Sequence, residues 1–298
     1  MKVIALGGKS PIYELAHPVG RAIVLSAPER VEDVRPLLED LILEIVEPGP
    51  ARCYIDLPSK TIRITRSLLE HLWVSSYSYW MLYSRHVSGR LIDTPKEVDL
   101  THDPVDVAAM QLLRWSVQNQ LGGLDRPWPD DLPRPASNPT WASDIHVANE
   151  FMIAAVAFIL HHELAHHRLG HSSLPEGADS VSQEREADYE AARWLLADCG
   201  GAVLEKRALG VTIALASMVV IQIYRGPEDP TTHPRTFDRL INSLQQYVPD
   251  VDHAAWGFAV IAIKLHMDHV GIAAPQAALQ TVRDVAEAYA EVLAARVK

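Results

Sequence analysis

Cysteine is almost missing from this 298-residue chain, which has only Cys53 and Cys199. Two thiols cannot build a disulfide framework or a thiolate zinc site, and their scarcity fits a reducing compartment. An excess of positive charge is missing as well. Lys and Arg total 27 against 38 Asp and Glu, a formal net charge of -11. The attraction to phosphates behind most non-specific nucleic-acid binding is therefore lacking, and no nucleic-acid partner is expected. No apolar run reaches the roughly 18 residues of a membrane span. The longest runs, Phe151 to Leu160 and Val211 to Tyr224 with its Gln222 interruption, are expected to be buried core helices, and no membrane partner is expected. The opening apolar run is too short for a signal-peptide core and is soon followed by Pro11 and Glu14, which points to a cytoplasmic protein. The sequence shows neither an internal repeat nor a low-complexity tract.

What remains is an ordinary globular composition, 48% apolar and 22% charged, with an α+β, predominantly helical pattern. Arg21 to Leu25 reads as a strand and Val31 to Val46 as an amphipathic helix with Leu37, Leu38, Leu41, Ile42 and Ile45 on its apolar side. Residues 53–57 and 61–65 read as a hairpin, turned by Pro58, Ser59 and Lys60, with Ile62 and Ile64 alternating with polar neighbours. A helix capped by Ser67 follows, and another begins at Pro104. These elements make up an N-terminal part, residues 1–121. A Pro-rich loop, residues 122–144, is either a connector or a lid. Long helices fill residues 145–298, the whole forming one compact domain.

Chemistry concentrates between His161 and His171. Residues 162–166 read His-Glu-Leu-Ala-His, an HExxH match. Four residues on a helix make about one turn, so the imidazoles of His162 and His166 converge on one ion, while Glu163 sits beside it as a general base. The apolar run before the motif favours a helix, and Gly170 favours its end. A zinc site needs a third protein ligand. The longer HExxHxxGxxH pattern fails, because Leu169 and Ser172 stand where Gly and His are required. Glu184 is the better third ligand, with Asp188 one turn along the same face to orient a ligand histidine; Glu186 is the alternative. Two imidazoles and one carboxylate favour Zn2+ over manganese or cobalt. His233, in the turn-rich segment 226–234, is a candidate donor to the oxyanion formed in peptide hydrolysis.

The pair HExxH and ExxxD, here His162 to His166 and Glu184 to Asp188, resembles the gluzincin metallopeptidases. The Glu184-Arg185-Glu186-Ala187-Asp188 string, with Thr232-His233-Pro234 and Arg239, is similar to the HtpX-type membrane peptidases. Length and motif placement resemble the phage-exclusion peptidase Lit family. The resemblance implies a zincin-like fold, with a small N-terminal sheet followed by a helical lobe that carries the metal site. It implies further that His233 and Arg239 belong to the catalytic surroundings, Arg239 in a structural or substrate-facing place. The function expected is a zinc-dependent endopeptidase acting on an intracellular protein or peptide substrate, which the Lit resemblance implies to be elongation factor Tu. The alternative is a zincin-fold regulatory or sensor protein without turnover. Glu163 argues against that alternative, since a site that only binds metal has no use for a base.

Overall fold

The computed structural model describes the chain except for residues 6, 48, 89–99, 123–124, 172–177, 226–233, 276–279 and 297–298. Strand β1 (Lys2–Ala5) is followed by helices α1 (Ala16–Gly20), α2 (Ala22–Ser26) and α3 (Val31–Glu39). Strands β2 (Ile42–Val46), β3 (Cys53–Asp56) and β4 (Thr61–Thr65) come next. The rest is helical: α4 (Arg66–His86), α5 (Pro104–Gly122), α6 (Asp144–Leu169), α7 (Ala178–Leu196), α8 (Gly201–Arg225), α9 (Thr236–Tyr247), α10 (Ala254–His269) and α11 (Val282–Arg296). The fold is thus α+β and predominantly helical, with its sheet at the N-terminal end.

Two short segments differ from expectation. Residues 21–25 are not a strand: Arg21 precedes α2 and residues 22–25 lie in it, with buried Ala22, Ile23 and Ser26 following helical spacing and facing α6. The four apolar residues from Ala22 to Leu25 do not by themselves distinguish the two periods. The helix expected over 31–46 stops at Glu39, and residues 42–46 form β2. There Leu43 and Ile45 are buried while their neighbours are partly exposed, the alternation of a strand paired on both sides. The hairpin forms as expected, with Ile55 opposite Ile62 and Cys53 opposite Ile64. Helix α4 starts earlier than Ser67, because Thr65 caps it by accepting from the Leu68 N–H.

The sheet order is β1-β2-β4-β3. The first three of these strands run parallel and β3 lies antiparallel on the outside, so β3 leaves one edge unpaired within the sheet, and that strand touches α6.

Helix α6 is the axis of the molecule, with α2, α4, α7 and α8 packed around it. It is the one described helix long and apolar enough to cross a membrane, yet 78% of that window is buried inside the protein, as befits a core helix. Its closest neighbour is α8. At Gly210 a Cβ would lie 2.4 Å from the Ala154 Cβ and 2.8 Å from its carbonyl carbon, so only glycine permits this approach. Both ends of α6 are capped, by Ser143 accepting from the His146 N–H and by Gly170 in the left-handed region at φ 69°.

The described part of the Pro-rich loop is packed against the helical core. Trp128 is buried against Trp115 and Trp73, with ring centroids 4.7 and 5.5 Å away. Asn149 on α6 donates to the Ala136 carbonyl, and Glu14 accepts from the Ser137 N–H.

Candidate active site

The C-terminal half of α6 carries the HExxH residues, and α7 crosses it with Glu184 and Asp188. The imidazoles of His162 and His166 stand one turn apart, their Nε2 atoms 3.1 Å from each other. Glu184 spans the same point, with Oε2 3.4 Å from His162 Nε2 and Oε1 3.5 Å from His166 Nε2. One ligand atom from each of the three lies within 4.8 Å of the others, the one such group among the described residues. This donor set suits a metal on chemical grounds. His162 Nδ1 is 3.0 Å from an Asp188 carboxylate oxygen, a contact that needs the ring proton on Nδ1. Nε2 of neutral His162 is then a lone pair, and it faces a second imidazole nitrogen and a carboxylate. Such a concentration of acceptors is satisfied by a cation, and two imidazoles with one carboxylate are a zinc set that leaves a further position for chemistry.

Residues 62–259, a span that includes every residue of this cluster, match peptidase U49. The chain belongs to the peptidase U49 family. It is 30% identical over 248 residues to the cell death peptidase of Escherichia coli (strain K12), a match covering 80% of this chain and 82% of that protein. No solved structure matches. Membership makes the chain a peptidase.

In this U49 peptidase His162 is buried and His166 and Glu184 are partly buried, so each charge is felt by its neighbours. Burial disfavours charge on His162, but its contacts with Asp188 and Glu184 outweigh that and raise its pKa. Burial and the neighbouring His162 lower that of His166. Glu184 is depressed to about 2, burial being outweighed by His162, Arg239 and His166. Asp188 is held well below the usual carboxylate range. Burial again opposes this, and Arg239 and His162 overcome it.

Glu163 lies on the β3 side of α6. Burial raises its carboxyl to about 7; Glu184 adds to the rise, while His162, the Ile55 backbone N–H and Arg239 oppose it. A carboxyl poised near neutrality beside two imidazoles has the property a general base needs. Cys53, also on β3, senses the Glu163 charge, and burial and that charge push its thiol up.

Arg239, on α9, is not open to a substrate in this conformation. Its guanidinium is buried, donating from Nε to one Asp188 oxygen at 2.6 Å and from a terminal nitrogen to the other at 2.8 Å. The same terminal nitrogen is 3.7 Å from Glu184. His233 lies outside the described residues. His161 faces away from the cluster, buried against the Trp194 ring at 5.0 Å, and burial lowers its pKa to about 3. Glu186 does not join His162 and His166 as Glu184 does; its carboxylate reaches His171 instead. Sequence spacing gave His171 and Glu186 no such link. The signal available for it was Gly170, whose left-handed conformation turns residue 171 back onto the helix.

Proposed function

We propose that this peptidase is a zinc-dependent endopeptidase in which His162, His166 and Glu184 hold the ion and Glu163 is the general base. The observation that carries this reading is the convergence of the three ligand atoms within 4.8 Å of one another on two crossing helices. When bound, zinc supplies Lewis acidity toward a water nucleophile and the scissile carbonyl. Glu163 takes the proton from the attacking water and passes it to the departing amine. Asp188 keeps the His162 proton on Nδ1, and Arg239 acts through Asp188, holding that carboxylate charged and in place. His233 remains the proposed donor to the oxyanion.

The outer edge of β3 is the proposed substrate track. Thr65 N–H bonds to the Arg52 carbonyl, so alternation along the antiparallel pair turns Tyr54 and Asp56 toward β4 and the backbone groups of Cys53 and Ile55 outward. An extended peptide added there pairs with the Cys53 backbone and the Ile55 carbonyl, and runs beside Glu163, which itself accepts from the Ile55 N–H. Proteins of the cytoplasm are the proposed substrates. The resemblance to the phage-exclusion peptidases points to elongation factor Tu, and similarity to a cell death peptidase supports an activity directed at the host cell.

Metal analysis of the purified wild type and His166→Ala, followed by incubation of each with elongation factor Tu, tests this reading. About one zinc per chain and a discrete cut are expected of the wild type, and neither of the variant. Unchanged zinc in His166→Ala would remove the site from this position. Intact elongation factor Tu with fully loaded wild type would remove that substrate.

A further inference from the structure

His162 has a visible support in Asp188; the support of His166 is built into the end of its own helix. Gly170 follows α6 at φ 69° and ψ 33°. Its N–H bonds to the His167 carbonyl at 3.3 Å, and the His171 N–H bonds to the His166 carbonyl at 3.0 Å. These are the two bonds of a Schellman cap, in which the second residue past the helix commonly makes an apolar contact with the last turn. Here two imidazoles make that contact. His171 Nδ1 lies 2.9 Å from His166 Nδ1, the rings crossing at 73°. On its other side His171 Nε2 is 3.2 Å from Glu186 Oε2, on α7. His171 is buried, whereas the Glu186 side chain is 58% exposed.

Proton placement gives this chain of contacts a direction. Only one proton fits between two nitrogens 2.9 Å apart. If His166 ligates through Nε2, its own proton is on Nδ1, so His166 donates and His171 Nδ1 accepts. The remaining His171 proton is then on Nε2, where the Glu186 carboxylate accepts it. One assignment satisfies every contact. The reverse assignment puts the His166 proton on Nε2 and takes that residue out of the ligand set.

We propose that His171 and Glu186 form a positioning relay that fixes the tautomer and ring orientation of His166 for metal binding, as Asp188 and Arg239 do for His162. This rests on the metal site proposed above. Glu186 thereby acts on the metal through two histidines, and the cap of α6 does two jobs, ending the helix and orienting a ligand. Losing such an outer partner typically weakens metal affinity roughly 10- to 100-fold.

The test measures zinc affinity by competition with a chromophoric chelator, and the visible spectrum of the cobalt-substituted protein, for wild type and four variants. His171→Leu is expected to weaken zinc binding roughly 10- to 100-fold and to alter the cobalt bands. His171→Gln, whose amide oxygen can accept the His166 Nδ1 proton, is expected to recover most of the affinity. Glu186→Ala, at an exposed position where folding is not at risk, is expected to show the same changes in smaller measure. His162→Ala serves as the reference for losing a ligand. Wild-type affinity and an unchanged cobalt spectrum in both His171→Leu and Glu186→Ala, with affinity lost in His162→Ala, would overturn the relay and leave the site standing. Wild-type affinity in His162→Ala would overturn the site and the relay with it. Should His171→Leu fail to fold, Glu186→Ala decides.

Discussion

Asp188 is gripped from one side by Arg239 and read from the other by His162. The guanidinium bonds both carboxylate oxygens, at 2.6 and 2.8 Å, and the oxygen at 2.8 Å also meets His162 Nδ1 at 3.0 Å. A carboxylate that accepts from a buried arginine stays charged, and a charged carboxylate holds the histidine proton on Nδ1. Helix α9 is thereby tied to His162 on α6 through a residue of α7.

Removing either end of this arrangement has a different consequence. Asp188→Asn is expected to fold and to lose roughly 10- to 100-fold in metal affinity, because the amide is a poorer acceptor for the imidazole. Arg239→Met leaves Asp188 buried beside Glu184 without its cation and is expected to cost about 3–5 kcal/mol of stability. Metal titration of the first and denaturant unfolding of the second check these outcomes. Full affinity in Asp188→Asn would reduce that residue to a partner of Arg239 alone.

The seat of α6 is expected to be as sensitive as the site. Gly210→Ala sets a methyl 2.4 Å from the Ala154 Cβ and pushes α8 off α6, an overpacking expected to cost about 1–3 kcal/mol. Thermal unfolding of the metal-free protein measures it. An unchanged midpoint would show that the two helices can separate freely at this point.

Activity is expected to have an acidic limb set by Glu163. The base works only when ionised, and burial raises its pKa to about 7, so turnover rises with pH toward that value and falls below it. A bound dication draws the carboxyl pKa down, which places the limb of the zinc-loaded enzyme at or below about pH 7. A kcat/KM profile that stays flat down to about pH 4 would contradict this assignment, since even an ordinary glutamate would by then be more than half protonated.

Much of the site was legible because its rules are local. A four-residue spacing on a helix places His162 over His166 whatever surrounds them, and the same rule puts Asp188 one turn from Glu184. The hairpin at 53–65 was equally legible from alternation and a turn. Strand β2 was not: Leu38, Leu41, Ile42 and Ile45 mimic a helical stripe, and only pairing with β1 and β4 selects the strand. The contacts of His171 with His166 and Glu186 were hidden for a similar reason. It depends on the left-handed turn at Gly170 and on Glu186 arriving from α7, neither of which a spacing rule contains. Arg239 was found by motif, but its partner Asp188 lies 51 residues away, so its place against that carboxylate required the fold.

The central claim, that Glu163 is the base of a zinc peptidase, is tested most directly by comparing zinc-loaded wild type with Glu163→Gln in a cell lysate and mapping new protein termini. Glutamine keeps the shape and leaves both imidazoles in place, so zinc content and stability are expected to be nearly those of the wild type. Loss of a positioned general base lowers rates roughly 100- to 10,000-fold. The account predicts discrete new termini with the wild type and essentially none with Glu163→Gln at equal zinc content. The same termini appearing at the wild-type rate with the zinc-loaded variant would contradict it.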